Sequence, residues 1–148
     1  MNDLVGIIRK EDEIQRALDA IDALKARIPS VSVEGHRQFN PGWHLALDLR
    51  NMLLVSECVA RAALARQESR GGHTRDDYPG MNAEWRRKLL VCSMHEGASG
   101  GPAGITVTEE PSTVIREDLL ALFARSELES YLTADELPAD TTATGGTT

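Results

Sequence analysis

The amino-acid sequence predicts a mostly α-helical protein, and three observations support this prediction. Aromatic residues make up only 4% of the 148 residues, so a core must come mainly from Leu, Ile, Val and Ala, which suit packing between helices. Apolar residues recur every three or four positions along two long stretches, as on the buried side of a helix. A hydrophobic fraction of 41% is enough for one ordinary core. We therefore expect a single, mostly helical domain.

The first helix is expected over residues 11–28. Its first turn holds Glu11, Asp12 and Glu13, whose negative charges the helix dipole favours at an N-terminus. Pro29 ends the pattern because proline cannot continue the backbone hydrogen bonds. The apolar positions at helical spacing are Ile14, Leu18, Ile21, Leu24 and Ile28. Before this helix, residues 1–9 carry an apolar cluster that fits either a helix end or a short extended connector.

A longer helix is expected to begin at Asn40 and Pro41 and to run to the glycine pair that starts at Gly71. Asn is a common N-cap, proline is tolerated at the first helical position, and glycine ends helices in the left-handed conformation. About 29 residues give a rod of about 43 Å. Glu57 and Arg61 are expected to pair on its surface. The apolar stripe expected to face the first helix is Leu45, Leu49, Met52, Val55 or Ser56, Val59 and Ala63.

Smaller elements and a tail follow. A helical turn is expected at residues 82–87, then two β-prone runs at residues 89–94 and 105–108 that form a hairpin across a glycine-rich loop. A third helix is expected over residues 116–131, with Leu119, Leu120, Phe123 and Leu128 as its apolar positions. We expect a helical core with the loop ESRGGHTRDDYP over residues 1–91, the hairpin and last helix over 92–137, and a disordered tail over 138–148.

The sequence disfavours several classes of function. The glycine-rich residues 97–104 do not spell G-x-G-x-x-G, and no phosphate loop, G-x-S-x-G elbow or H-E-x-x-H motif occurs. Residues 61–88 hold seven basic and four acidic residues, but the chain has a net charge of −7 and few aromatic residues for base stacking. Nucleic-acid binding is therefore disfavoured.

Cysteine usage and hydropathy bear on location. Cys58 and Cys92 have no partner at a metal-ligand or redox spacing, which is typical of a reduced, cytoplasmic protein. No apolar stretch approaches the roughly 20 residues that span a bilayer, and the N-terminus lacks a signal-peptide pattern. We expect a chain that is neither secreted nor inserted in a membrane.

The densest polar cluster lies in the loop after the long helix. One interpretation makes it a site for an anionic substrate, with Arg75 binding a carboxylate and His73 donating a proton. The other interpretation is a network of paired charges that holds the loop to the helix end or to a neighbouring surface. We favour the network, because paired charges outnumber catalytic ones. The candidate residues for this network and for domain docking are Glu68, Ser69, Arg70, His73, Arg75, Asp76, Asp77 and Tyr78.

The segment LRNMLLVSECVARAALARQESRGGHTRDDYP, residues 49–79, followed by Trp85, resembles the C-terminal helical region of the succinate dehydrogenase and fumarate reductase flavoprotein subunit family. VGIIR near the start and FNPGWHLALDLRN also resemble this region, so the resemblance covers about residues 1–91. L-aspartate oxidase shares ESRG-x-H and DYP and is the alternative within the same fold. Arg75, which gives the form H-x-R-x-D, favours the dehydrogenase. The matching positions are Leu49, Arg50, Asn51, Met52, Ala62, Arg66, Glu68, Ser69, Arg70, Gly71, His73, Arg75, Asp76 and Pro79.

The resemblance implies a three-helix antiparallel, spectrin-repeat-like bundle that packs against a flavin domain. In this family the FAD contacts and the residues that bind and protonate the dicarboxylate lie in domains whose motifs are absent from this sequence. We therefore expect no catalytic, cofactor-binding or metal-binding residue here, and a chain that is inactive alone. FAD is expected in the full-length flavoprotein.

The resemblance also implies partners and a location. The expected partners are the FAD-binding and capping domains of the same polypeptide and the iron–sulfur subunit of the complex, with no nucleic acid and no direct membrane insertion. Self-association through an exposed apolar surface is expected for the isolated chain. The expected location is the cytoplasm, with peripheral attachment to the cytoplasmic membrane through partner subunits. The alternative from another functional class is a free-standing helical interaction module.

Overall fold

Two long helices dominate the structure. A computed structural model of the chain describes residues 1–95 and 104–138. Helix α1 (Glu11–Arg27) is followed by a short 3-10 turn (Ile28–Ser30), and helix α2 (Pro41–Ala65) packs against α1. The start of α1 and the end of α2 meet at the same loop, so the two helices run in opposite directions. The predicted mostly helical fold with a small hairpin is confirmed at this level.

Helix α2 begins where the sequence predicts and ends earlier. The Asn40 side chain accepts a hydrogen bond from the backbone N–H of Gly42 at 3.0 Å, and Pro41 occupies the first turn. The helix ends at Ala65, so it has 25 residues and a length of about 38 Å instead of the expected 43 Å. At this end the side chain of Arg75, from the following loop, binds the carbonyl groups of Ala63 and Leu64. Gly71, with φ of +57°, serves a tight turn within that loop.

The core lies between the two helices and only partly uses the face of α2 that was expected, since Ala63 of the expected stripe is buried and Leu49 packs against the core. Leu53, Ala60 and Ala63 are buried in the α1–α2 seam, whereas Met52 and Val55 of the expected stripe are exposed. Helix α2 is apolar on more than one side. The buried face contains the charged residue Glu57, so the sequence pattern did not identify this face as the one that packs against α1. The full set of buried core residues is Val5, Ile14, Ala17, Leu18, Ile21, Leu53, Ala60 and Ala63.

Two small sheets position the segments around α2. Strand β1 (Ile8–Arg9) pairs in parallel with strand β2 (Thr74–Arg75), a contact that the sequence pattern did not predict. A helical turn, α3 (Ala83–Arg86), capped by Asn82, leads into the predicted hairpin. Its strands β3 (Lys88–His95) and β4 (Gly104–Pro111) are antiparallel, and both contact α2. Strand β3 crosses the expected boundary between residues 91 and 92.

The third helix expected over residues 116–131 is wrong. That segment contains two short helices, α4 (Glu117–Leu120) and α5 (Arg125–Leu128), separated by a turn. Leu119, Leu122 and Phe123 are exposed there and only Leu128 is buried, so too little apolar surface is buried to stabilise one continuous helix. Arg86 and Arg87 pair with Glu136, which holds this segment to α3. Within the expected tail only Pro138 is described, so the prediction of disorder there lies outside the described residues.

Candidate functional site

The loop after α2 is organised by Arg75, whose side chain is 0% exposed. Its guanidinium donates two hydrogen bonds to the Asp77 carboxylate, at 2.7 and 2.6 Å. It also donates to the backbone carbonyls of Ala63 and Leu64, at 2.8 and 3.1 Å. These carbonyls belong to the last turn of α2, where helix geometry leaves them without a backbone partner. Arg75 is thus a C-terminal cap of α2 supplied by the following loop.

The same arginine–aspartate pair joins the ends of both helices. The Asp77 carboxylate accepts a hydrogen bond from the backbone N–H of Glu11, the first residue of α1, at 3.1 Å. A negative charge therefore lies at the positive end of α1 and a positive charge at the negative end of α2, so both helix dipoles favour this arrangement. Hydrogen bonding to Arg75 lowers the pKa of Asp77 to about 2.

Glu68 is the second buried charge of the loop. Its side chain is fully buried and accepts hydrogen bonds from Arg66, at 2.9 and 2.6 Å, and from Arg70, at 3.0 and 3.1 Å. The backbone N–H of Asn82 donates to it at 2.9 Å. Burial opposes ionisation, but the hydrogen bonds from Arg70, Asn82 and Arg66 outweigh it and lower the pKa of Glu68 to about 2. The carboxylate is therefore satisfied within the chain.

His73 is held as a neutral side chain. Its Nδ1 lies 2.7 Å from Nη1 of Arg9, and since arginine can only donate, Nδ1 is the acceptor. Its Nε2 lies 3.2 Å from the carbonyl oxygen of Arg66 and donates to it. Burial is the main cause that lowers the pKa of His73, and the charges of Arg9, Arg75 and Arg66 lower it further. Both ring nitrogens are thus occupied by structural contacts.

The remaining candidate residues complete the loop. The Ser69 hydroxyl accepts from the backbone N–H of Arg75 at 2.8 Å and lies 2.9 Å from the carbonyl oxygen of Tyr78. The Tyr78 ring stacks on Arg75, with the guanidinium carbon 4.9 Å from the ring centroid. Asp76 makes an exposed ion pair with Lys10 at 3.6 Å. The structure therefore brings all eight residues into one loop, with Asp76 at its surface.

The sequence did not predict three residues that make these buried polar contacts: Arg9 and Asn82 in the loop network, and Glu57 between α1 and α2. Arg9 reaches His73 because β1 pairs with β2, and Asn82 closes the cage around Glu68 through its backbone. Glu57 was expected in a surface pair with Arg61 but is 5% exposed and also binds Lys25 of α1. The spacing of Glu57 within the apolar pattern of α2 was the available signal, since residues 53, 57, 60 and 64 share one helix face.

The buried charges of the loop already have partners within the chain, so they offer no free group to bind or protonate a substrate. Over residues 1–95 and 104–138, no group of three or more metal-ligating side chains is arranged to hold an ion. In the same described part, no helix is long and apolar enough to cross a membrane. An open surface concavity of about 890 Å³ is lined by Lys10, Glu11, Asp12, Gln15, Asp76 and Asp77.

Two packed helices, joined at one end by a loop whose buried charges are paired within the chain, define a helical domain. Residues 1–114 match the family described as fumarate reductase flavoprotein C-term. The chain belongs to this family of flavoprotein C-terminal domains, as the sequence predicts.

Known relatives agree with this assignment. The chain is 35% identical over 93 residues to the fumarate reductase flavoprotein subunit of Helicobacter pylori, covering 62% of the chain and 13% of that protein. It is 38% identical over 87 residues to the L-aspartate oxidase of Acinetobacter baylyi, covering 59% of the chain and 15% of that protein. The matched segment is thus only a small part of the length of each of these two relatives.

A solved structure supports the same family. The structure titled Mycobacterium smegmatis Sdh1 complex in the apo form contains a chain 61% identical to this one, with a TM-score of 0.79. That match covers 93% of this chain and 23% of the solved one. The fold described above is therefore similar to one part of a longer chain in that complex.

Proposed function

We propose that this chain is the C-terminal helical domain of an FAD-dependent flavoprotein subunit that interconverts succinate and fumarate, and that its role is structural. The observation that carries the proposal is the fully buried Arg75, whose donors are occupied by Asp77 and by the end of α2. An arginine that binds a dicarboxylate must present free donors to the substrate. Catalysis then belongs to the remainder of the flavoprotein, and the chain alone is inactive.

The outer face of α2 is the proposed docking surface for that remainder. Leu45, Met52 and Val55 are 65%, 57% and 60% exposed and follow one another at helical spacing with Val59. We call these four residues the α2 stripe. Large apolar side chains that are exposed along one side of a helix mark an interaction surface. Its apolar character fits a permanent contact within one polypeptide, and in the chain alone it would drive self-association.

The α2 stripe also supports the bundle that the family resemblance implies. In the proposed protein α1 and α2 are two members of a three-helix antiparallel, spectrin-repeat-like bundle. Residues 1–91 form the core that carries the loop, residues 92–137 form the hairpin and short helices, and residues 138–148 form a tail. The eight candidate residues of the loop from Glu68 to Tyr78 are proposed to hold α2, and with it the α2 stripe, in position for docking.

The proposed cofactor and partners are those that the family resemblance implies. FAD is held by the FAD-binding domain of the same polypeptide, and the further partners are the capping domain and an iron–sulfur subunit. The similarity to a chain of the Mycobacterium smegmatis Sdh1 complex supports an assembly of this kind. The flavoprotein is proposed to lie in the cytoplasm and to reach the membrane only through partner subunits.

The first experiment tests whether catalysis lies outside this chain. The purified chain is titrated with FAD and assayed for fumarate reduction with a reduced viologen as electron donor. We expect a colourless protein without turnover. Stoichiometric flavin binding, or turnover above the background of the viologen alone, would contradict the proposal.

The second experiment tests the docking surface in the longer flavoprotein that contains this segment. Val55→Lys places a charge in the α2 stripe and should release FAD at lower temperature than the parent protein. Val114→Lys, at a residue 92% exposed outside α2, is the matched control and should leave flavin release unchanged. Equal effects of the two substitutions would remove the α2 stripe from the interface.

The relation to L-aspartate oxidase gives a second candidate function. The 38% identity to the Acinetobacter baylyi enzyme supports it, whereas the 61% identity over 93% of the chain to the Mycobacterium smegmatis chain favours the succinate–fumarate assignment. An assay of the longer flavoprotein with succinate and with L-aspartate separates the two. Oxidation of L-aspartate without oxidation of succinate would reverse the preference.

A further inference from the structure

The two cysteines, which are far apart in the sequence, meet in the fold. Cys58 lies on the half-buried side of α2, and Cys92 lies exposed on β3. The Sγ of Cys92 is 3.7 Å from the carbonyl oxygen of Cys58. Burial is the main cause that raises the pKa of the Cys58 thiol, and the nearby Cys92 side chain raises it further. Both thiols are free in the structure.

The hairpin holds this meeting point in place. Cys92 pairs with Val107 of β4 within a continuous antiparallel ladder, so its side chain has a fixed direction. Both strands contact α2, and a residue shifted by one position along β3 would point to the opposite face of the sheet. The proximity of the two sulfurs is therefore a consequence of register and not of a loose loop.

We propose that Cys58 and Cys92 form a redox-modification site, a dithiol that hydroperoxides oxidise to an intrachain disulfide. This inference does not depend on the proposed function. The Cys92 thiolate, the more exposed sulfur, attacks one oxygen of the hydroperoxide. The O–O bond breaks, Cys92 becomes a sulfenic acid, and the other oxygen leaves as water or alcohol after taking a proton.

The second step closes the disulfide. The sulfur of Cys58 attacks the sulfenic sulfur of Cys92, the S–S bond forms, and the S–O bond breaks. The hydroxide leaves with the Cys58 proton as water. Two electrons pass from the two thiols to the hydroperoxide, so each hydroperoxide consumed gives one disulfide. The disulfide joins α2 to β3 and restricts the unfolded chain, so the oxidised form should melt at higher temperature.

The test uses the 148-residue chain treated with hydrogen peroxide at a small molar excess. Remaining thiols are alkylated, and non-reduced peptides are analysed by mass spectrometry. We expect both free thiols to disappear together, a linked peptide pair containing Cys58 and Cys92, and a rise in Tm of several degrees that a dithiol reductant reverses. Cys58→Ser and Cys92→Ser should each abolish the linked pair and the rise in Tm.

A matched variant tests the geometry. Cys92→Ser combined with Ser93→Cys moves the thiol one position along β3 to the other face, with similar exposure. This variant should form no intrachain disulfide. The proposal is overturned if the variant links to Cys58 as readily as the parent does. It is also overturned if the parent gives sulfinic acid at Cys92 beside a reduced Cys58, or only disulfide-linked dimers.

Discussion

The two halves of α2 differ in what surrounds them. The C-terminal half contains every buried residue of the helix, Leu53, Glu57, Ala60 and Ala63, and ends at carbonyl groups bound by Arg75. The N-terminal half, residues 41–52, has a good N-cap but no buried residue, and Leu45 and Leu47 are largely exposed. Both ends of α2 are thus capped, while its buried residues all lie in the C-terminal half.

The difference separates two kinds of interaction. Charge pairs at the C-terminal end form within the chain, whereas exposed apolar side chains can be buried only by another surface. Charges at the C-terminal end are paired within a few residues of one another, so that region is satisfied by its own sequence. Apolar side chains at the N-terminal end gain stability only when a surface covers them. The exposed apolar side chains of the α2 stripe continue from Leu45 into the C-terminal half at Val55 and Val59.

The largest expected effect on stability comes from removing Arg75, which caps the C-terminal half of α2. Arg75→Ala removes the cap of α2 and leaves Asp77 without its partner, so the free energy of unfolding should fall by about 4 kcal/mol. Thermal or urea unfolding measures this change. Arg50→Ala, at an exposed position of the other half of α2, is the control and should cost less than about 0.5 kcal/mol. A similar loss for both variants would contradict the assignment of Arg75 as the organising residue.

The second largest effect is expected at low pH, where protonation of Glu68 weakens the charged loop that follows α2. Glu68 has a pKa of about 2 in the fold against an ordinary value of 4.5, so its stabilisation is present above pH 4.5 and is lost as the pH falls towards 2. That loss amounts to about 3 kcal/mol. Denaturant titrations from pH 6 to pH 2 measure this loss. The Glu68→Gln variant should be less stable than the parent at pH 6, and its free energy of unfolding should change less with pH over this range. An equal acid dependence of the parent and the variant would show that other carboxylates dominate.

Adjacent residues of α2 sharpen the contrast between its two sides. Leu53→Ala leaves a cavity in the α1–α2 seam and should cost about 3 kcal/mol, whereas Met52→Ala, on the exposed α2 stripe, should cost less than about 0.5 kcal/mol. Chemical unfolding of the two variants measures the difference. The same Met52 variant should reduce self-association in analytical ultracentrifugation. If Met52→Ala proved as destabilising as Leu53→Ala, the true seam would include the α2 stripe.

The smallest effect is expected at His73. Because its pKa is lowered in the fold, its stabilisation is present above pH 6.5 and declines as the pH falls through the folded pKa, when protonation breaks the contact with Arg9. We expect a decline in stability between pH 7 and pH 5 that His73→Gln removes, with a cost of about 1 kcal/mol at pH 7 for the lost hydrogen bond. A parent protein whose stability does not change over that range would refute this assignment.

Local patterns predicted the elements that depend on local physics. The start of α1 at three acidic residues, the cap of α2 at Asn40 and Pro41, and both hairpin strands follow from propensity, capping and alternation. The prediction of a third helix was wrong because it required a surface against which Leu119, Leu120, Phe123 and Leu128 could pack. Residues 116–131 bury almost none of these side chains in the described structure.

The sequence by itself determined the helical class, the family and the set of charged residues in the loop, because composition, periodicity and motif identity are local properties. Only the tertiary structure decided which side of α2 is buried, that Arg9 and Asn82 complete the loop network, and that Cys58 meets Cys92. The reason is physical: a helix that is apolar on several sides fits several partners, and long-range neighbours are fixed only when β1 pairs with β2 and the hairpin packs on α2.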